Sequence, residues 1–401
     1  MTIAKKIISL FLVLVMLGSL ATPVIANGIS SAELEKFEDL RLIKIDPIFD
    51  STPYGFFIAV GATEEGRKAT LFYIEQSSLR DEEKKSLMQS MKELWNKYGV
   101  KAEIREKVVF ITAEKEISLA REDEEILEKL AKAFGEFWKK QLKIEPKWAG
   151  NAHGGITYLA CRKVVSIGSH CQIAQTNSSA PDYWSGYVPP NSSPPCNIPQ
   201  WMWDQIRTIF LPLIVRNYDH WFNPNLCPGG IGGAPAQAEN NTRLAKIYWN
   251  LCRNGNLYYC NEAFRYLGYA SHFLEDVGNP LHTSAEVKQI SFSIFAFSGC
   301  IDCLHKEYEN YIDSNWQSGY NFSSVVEENL RYSNGYTVTN VTVAVKNLAT
   351  GSNVFGDSVV YTIFTQPGSW QRDQTLRSIT NYTLAESAKY AVGLFRSVVL
   401  T

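Results

Sequence analysis

The rhythm of apolar positions changes twice along the chain. Ile7 to Leu20 is a nearly unbroken apolar run behind Lys5 and Lys6, and Val24-Ile25-Ala26 closes it before Asn27. A basic start, a short apolar stretch and small residues predict a secretory signal at 1–26. No later segment reaches the ~18–20 uninterrupted apolar residues that a bilayer requires. Next comes a charged stretch with helical spacing. Leu79–Tyr98 places Leu87, Met91, Leu94 and Trp95 on one face and charges on the other, and Glu122–Leu142 repeats the pattern. Tyr54–Val60 and Thr70–Glu75 are β-prone runs around a Gly61–Gly66 turn and predict a hairpin, and Val108–Thr112 predicts one more strand. After Trp148 the helical rhythm dominates, at Ile198–Val215, Thr242–Leu251, Asn261–Asp276, Cys303–Trp316 and Leu384–Val399. Tyr336–Val345 and Asn353–Thr365 alternate in the manner of strands. A small α+β region followed by a mostly α domain with a minor β element is the expected fold.

Composition sharpens that boundary. At 401 residues, 45% hydrophobic and 20% charged, the chain is globular and not disordered. A formal charge of −2 argues against a protein that coats nucleic acid, although a local basic groove stays open. Asn27 to Lys147 holds 24 acidic and 21 basic residues and no cysteine or histidine. Those Lys/Glu runs are expected to be solvated faces. Trp148 to Thr401 holds 17 acidic and 16 basic residues, all six histidines and all eight cysteines. An even cysteine count in an exported chain predicts up to four disulfides. Cys300-x2-Cys303 is then expected to clamp the loop ahead of His305, and His170 to bond locally beside Cys171. Six N-x-[ST] sequons, from Asn177 to Asn381, fall in the same region and permit glycosylation.

The chemistry is concentrated in Tyr266-Leu267-Gly268-Tyr269-Ala270-Ser271-His272-Phe273-Leu274-Glu275-Asp276, continuing to Asn279-Pro280-Leu281-His282. On a helix His272 and Asp276 share a face. Pro280 ends the helix, and a turn can bring His282 back to the same place. His305 and Glu309 repeat the one-turn spacing. Imidazole plus carboxylate at i and i+4, twice in a chain of six histidines, is what a helical bundle needs to hold a divalent cation.

These residues resemble a known family: the secreted zinc-dependent phospholipases C of Gram-positive bacteria, which include the clostridial alpha-toxins, and the related fungal single-strand-specific nucleases. The shared signature is His-x3-Asp-x5-His followed by His-x3-Glu or His-x3-Asp, here His272, Asp276, His282, His305 and Glu309. The Tyr-Leu-Gly ahead of the first histidine and Leu-His-x-x-Tyr-Glu at the second pair match the phospholipase branch. The resemblance covers Trp148–Trp316. It implies a helical-bundle zinc phospholipase C-like catalytic domain at 148–401, preceded by a small α+β propeptide or accessory domain at 27–147. Trp148 and His153 stand where the family has an N-terminal Trp, whose amine and carbonyl bind zinc, and a following His. A cut after Lys147 by an activating protease would free that amine. His220 resembles the family's His before an aromatic, with Asn223 where the family has Asp. Asp182, in Pro181-Asp182-Tyr183, resembles the catalytic acid, with Asp204 and Asp219 as rivals.

The resemblance implies three zinc ions. His220, His272 and Asp276 would hold one, Asp276 would bridge to a second on His153 and Trp148, and His282, His305 and Glu309 would hold the third. Asp182 would orient or deprotonate the attacking water, and Tyr183 would face a substrate choline by cation–π contact. The expected protein is a secreted, monomeric phosphodiester hydrolase acting on phospholipid at a membrane surface. The Trp-x4-His spacing and abundant aromatics keep a single-strand nuclease as the alternative. A secreted binding protein stapled by zinc is a third.

Overall fold

A computed structural model describes residues 41–49, 54–105, 107–115, 117–141, 150–184, 218–225, 228–283 and 303–401. The expected signal at 1–26, the expected helix at 198–215, Trp148, Asp204 and the Cys300 end of the expected clamp lie outside them. The described protein is mostly helical with one small sheet.

The first region runs β1 (Leu42–Ile45), α1 (Gly55–Ala59), α2 (Glu64–Glu75), α3 (Asp81–Tyr98), β2 (Val100–Arg105), β3 (Val108–Ala113) and α4 (Arg121–Gln141). The sheet order is β1-β3-β2, with β1 parallel and β2 antiparallel to β3. Val109 and Ile111 alternate along β3 toward the core and are fully buried, the half-buried pattern expected of a short strand. In α3 the buried residues are Leu87, Met91, Leu94, Trp95 and Tyr98, and Gly99 closes the helix at φ 58°, a left-handed cap that glycine adopts without strain.

The expected hairpin at 54–60 and 70–75 is absent, and both runs are helical. Gly55 to Ala59 is buried on every side, so no wet face marks its period. A short, continuously apolar run does not distinguish a buried strand from a buried helix. Thr63 decides α2, since its side chain accepts the Gly66 N–H as an N-cap.

The second region contains α5 (Gly150–Val164), α6 (Gly168–Asn177), α7 (Ala234–Cys252), α8 (Leu257–Asp276), α9 (Cys303–Ser314), α10 (Phe322–Tyr332), α11 (Val341–Asn353), α12 (Gly356–Thr365) and α13 (Gln374–Val399). Disulfides Cys161–Cys171 and Cys252–Cys260 pin α5 to α6 and α7 to α8. His170 stacks on Phe264 at 4.7 Å between ring centres, beside the first of these bridges. Gly268 lets α8 close on α6, because a β-carbon there would sit 2.4 Å from the Ala174 carbonyl oxygen. The long helix α13 packs against α5, α8, α10 and α11 and forms the back of the bundle.

The expected strands at 336–345 and 353–365 are also absent. Residues 341–353 and 356–365 are α11 and α12. Asn340 caps α11 by accepting the Val343 N–H. Nearly all of α12 is buried, so its β-branched residues imitate a strand while touching protein all round. What α12 touches is the first region: it packs against β1 and α2, and one continuous hydrophobic core runs through both. No described helix is long and apolar enough to cross a membrane.

Candidate metal centre

Six separate pieces of chain converge at one end of the bundle. From α8, His272 and Asp276 point the same way because they are one turn apart, and both are buried. Helix α5 brings His153. Its first amides are held by Asp313 of α9, which accepts from Asn151 N at 3.0 Å and Ala152 N at 3.2 Å. A carboxylate at a helix N-terminus satisfies otherwise unpaired N–H groups and fixes where the helix begins. Short turns at Ala180–Tyr183, Tyr218–His220 and Pro280–His282 supply Asp182, His220 and His282, and α9 supplies His305 and Glu309. The 280–282 turn is built by Asn279, whose side chain accepts the Leu281 N–H at 3.0 Å, and by Pro280 behind it.

The first set of donors surrounds Asp276. Its Oδ2 is 2.8 Å from His220 Nδ1 and 3.2 Å from His272 Nε2, and its Oδ1 is 3.4 Å from His153 Nε2. His272 Nε2 is also 2.9 Å from His220 Nδ1 and 3.3 Å from Asp182 Oδ1. Two overlapping groups result, His153–His272–Asp276 and Asp182–His220–His272, and His272 belongs to both. The second set is His282, His305 and Glu309. Here the two Nε2 atoms stand 2.7 Å apart, and Glu309 Oε1 faces both imidazoles, 3.1 Å from His282. A small cavity lined by His153, Asp276, Asn279, His282, Glu309 and Ser387 joins the two sets.

The tautomers are set from outside. His153 Nδ1 donates to Glu275 Oε2 at 2.8 Å, and Thr157 and Ser271 hydroxyls donate to the other Glu275 oxygen. His282 Nδ1 donates to the His220 carbonyl at 2.7 Å. In both rings this turns Nε2 toward the cluster, which is how metal-binding imidazoles are oriented. Glu275 was not singled out by spacing. Its position next to Asp276 points it away from the His272 face, and only the packing of α5 on α8 gives it a role.

The electrostatics follow from this crowding. Burial works against charge on Asp276, but His272 and His220 beside it hold its carboxyl well below the usual carboxylate range. Burial likewise opposes charge on His153, yet the carboxylates of Asp276 and Glu275 raise it well above an ordinary imidazole. His220 is raised by Asp276 against the same penalty. His282 goes the other way: burial and the neighbouring His305 lower it. Burial raises Asp182, whose side chain is 4% exposed.

The residues fit a bound cation. Both oxygens of Asp182 and Oδ1 of Asp276 are buried without a hydrogen-bond partner among the described residues. Buried carboxylate oxygens without such partners are costly unless positive charge lies among them. A mixed nitrogen and carboxylate donor set is what zinc takes.

Of the expected ligands, the structure brings together His153, His220, His272, Asp276, His282, His305 and Glu309. Trp148 lies outside the described residues, two positions before the start of α5. Asp182 sits at the rim of the first set, whereas its rival Asp219 belongs to none of the three donor groups. Tyr183 is 73% exposed beside Asp182. From His220 a run of ring contacts follows α8, from Phe273 through Trp184, Tyr269 and Tyr266 to Tyr248 of α7.

No protein-family model matches the chain, and no curated protein sequence matches it. Among solved structures, the alpha-toxin of Clostridium perfringens isolated from avian strain SWCP is similar over 63% of this chain and 63% of its own, at 16% identity and a TM-score of 0.35. The chain therefore spans just under two thirds of that toxin's length. A likeness of this size carries no argument about chemistry, which has to come from the donor groups themselves.

Proposed function

We propose that the protein is a secreted zinc-dependent phosphodiester hydrolase of the phospholipase C type, cleaving the bond between glycerol oxygen and phosphorus in phospholipids. The observation that carries this is the set of three adjoining His/carboxylate groups, two of them sharing His272. Zinc bound there would lower the pKa of a water toward ~7 and offset charge on the phosphate oxygens. In this reading His220, His272, Asp276 and His153 hold two ions, with the Trp148 amine completing one after cleavage at Lys147. His282, His305 and Glu309 hold the third. Asp182 takes a proton from the attacking water, whose oxygen forms the new bond to phosphorus as the glycerol oxygen leaves and gains a proton. Tyr183, exposed beside Asp182, would meet a choline headgroup by cation–π contact.

Two features divide lipid from nucleic acid. The ring run from Trp184 to Tyr248 favours a nuclease, since aromatic faces stack bases. Ile247, Leu251 and Leu257, all exposed around the α7–α8 turn, favour lipid, because aliphatic side chains stack no base and gain from entering an apolar interface. The lipid reading takes both. Zinc-loaded protein is expected to release phosphocholine and diacylglycerol from phosphatidylcholine vesicles and to leave single-stranded DNA and RNA intact. Digestion of single strands without lipid turnover would make it a nuclease. In the same assay Asp182→Asn should lose about 10²–10⁴ in turnover while retaining zinc, because it removes a base and keeps an oxygen at that place. Full turnover by Asp182→Asn would exclude Asp182 as the base.

A further inference from the structure

The charged first region looks removable from its sequence: it has no cysteine, and the composition breaks at Lys147. Its contacts with α12 indicate otherwise. β1 is an edge strand whose amides alternate in direction. Leu42 N and Asp46 N turn inward to the Lys107 and Ile111 carbonyls of the β3 side. Ile43 N and Ile45 N turn outward, where an edge strand ordinarily meets water or another strand. Here Ile43 N donates to Ser358 Oγ at 2.8 Å, the same hydroxyl donates to the Ile43 carbonyl at 3.2 Å, and Ile45 N donates to Asp357 Oδ2 at 2.8 Å. The first turn of α12 thus occupies the place of a fourth strand.

One helical turn further on, Tyr361 and Thr63 share a buried hydroxyl pair at 2.5 Å, and Tyr73 donates its hydroxyl to the Phe364 carbonyl at 2.9 Å. Phe364 is fully buried, and the rings around it come from the first region: Phe56 at 5.2 Å, Phe57 at 6.0 Å, Tyr73 at 5.1 Å and Phe134 at 5.6 Å between centres. Separating the regions would expose these rings and leave the β1 edge and the Asp357 carboxylate without these partners. α12 also packs on the 280–282 turn, and α9, which carries His305 and Glu309, packs on both α4 and α12. The first region therefore stands directly behind the second donor set.

We propose that residues 41–141 are a permanent companion of the helical domain, held non-covalently on α12 as a brace for the His282/His305/Glu309 side, and that they remain bound when the chain is cut between 141 and 150. Processing after Lys147 would then free the Trp148 amine without releasing what precedes it, giving a two-fragment protein. The inference stands on the interface alone, so it can fail or hold independently of the phosphodiesterase reading.

The test uses the full chain with a site-specific protease sequence inserted between Lys147 and Trp148, cut under native conditions and run on size exclusion at micromolar concentration. Co-elution of the two fragments is the expected result. Separate elution, with either fragment folded or not, would overturn the proposal and restore a releasable propeptide. Two substitutions then locate the contact. In the cut protein Phe364→Ala should weaken fragment association on the order of a hundredfold, the usual consequence of removing a buried ring. Asp357→Ala, a milder change that removes one acceptor, should weaken it about tenfold. The uncut Phe364→Ala chain, compared by circular dichroism, shows whether that variant still folds. Unchanged association in both variants would overturn the assigned interface.

Discussion

The two donor sets are built on opposite plans. The set around Asp276 gathers residues from α5, α8 and two turns, and its histidines lie beside charged carboxylates that raise His153 and His220. The set at Glu309 uses one turn of α9 and one adjoining turn, and burial together with a second imidazole lowers His282. A shared histidine, His272, makes the two groups of the first set interdependent, whereas the second is compact and self-contained. Removing a ligand from the first should therefore disturb more than one ion, and from the second only one.

The largest effect should come from His272, which belongs to both groups of the first set. His272→Ala is expected to lower zinc content by more than one ion per chain and turnover on the order of 10³-fold or more, since metal ions supply several kcal/mol of charge stabilisation. His305→Ala should remove one ion and leave the first set loaded. Zinc counts by atomic absorption decide this, and equal losses in the two variants would erase the distinction.

That asymmetry shows what spacing makes legible. His272–Asp276 and His305–Glu309 can be read directly because both partners lie on one helix face. His282 follows from a proline turn next door. His153, His220 and Asp182 lie 52 or more positions before His272 or in separate turns, and only a family resemblance singled them out. Glu275 and Asp313 were invisible, because each acts on a residue that tertiary packing alone brings near. The fold failed in sequence terms for a related reason. α1 and α12 are buried all round, so the wet face that sets a helical period is missing, and β1 is four residues long. The helices with one wet face, α3 and α4, were legible.

Next in size is Glu275→Gln. Glu275 holds His153 Nδ1 at 2.8 Å and is itself held by Thr157 and Ser271. The amide keeps the shape and loses the charge that makes the imidazole a better donor. Changes in such outer partners typically cost 10–100-fold in metal affinity. Competition with a chelator should show that loss at the first set only. An equal loss at the second would mean that the two sets are coupled through α8.

Acidification should separate the sets by about tenfold per pH unit for each histidine that must lose a proton. In the metal-free protein His153 and His220 lie above the ordinary imidazole value, so stability from their protonated forms is present below that value and is lost as pH rises through the raised one. Metal has to displace those protons, and its apparent affinity for the first set falls as pH drops through the same raised values. His282 lies below the ordinary value, is neutral near pH 7, and begins to compete only in more acid solution. Zinc should therefore leave the first set before the second as pH falls from 8 to 5. Release in the reverse order would contradict the assignment of the carboxylate environments.

The smallest effect is expected at Asn279, the counterpart of Glu275 in the second set. Its amide donates to Glu309 Oε1 at 3.3 Å, while its side-chain oxygen accepts from Leu281 N at 3.0 Å and builds the turn that carries His282. A neutral donor at that length contributes less than a carboxylate at 2.8 Å, about 0.5–1.5 kcal/mol for an ordinary hydrogen bond. Asn279→Ser separates the two tasks. Serine still caps a turn well, so the 280–282 geometry should persist, but its hydroxyl is too short to reach Glu309. The second set should then bind zinc a few-fold more weakly with little change in melting temperature. A loss as large as that of Glu275→Gln would show that the neutral contact orients its ligand as firmly as the charged one, and the contrast between the two sets would then rest on proton competition alone.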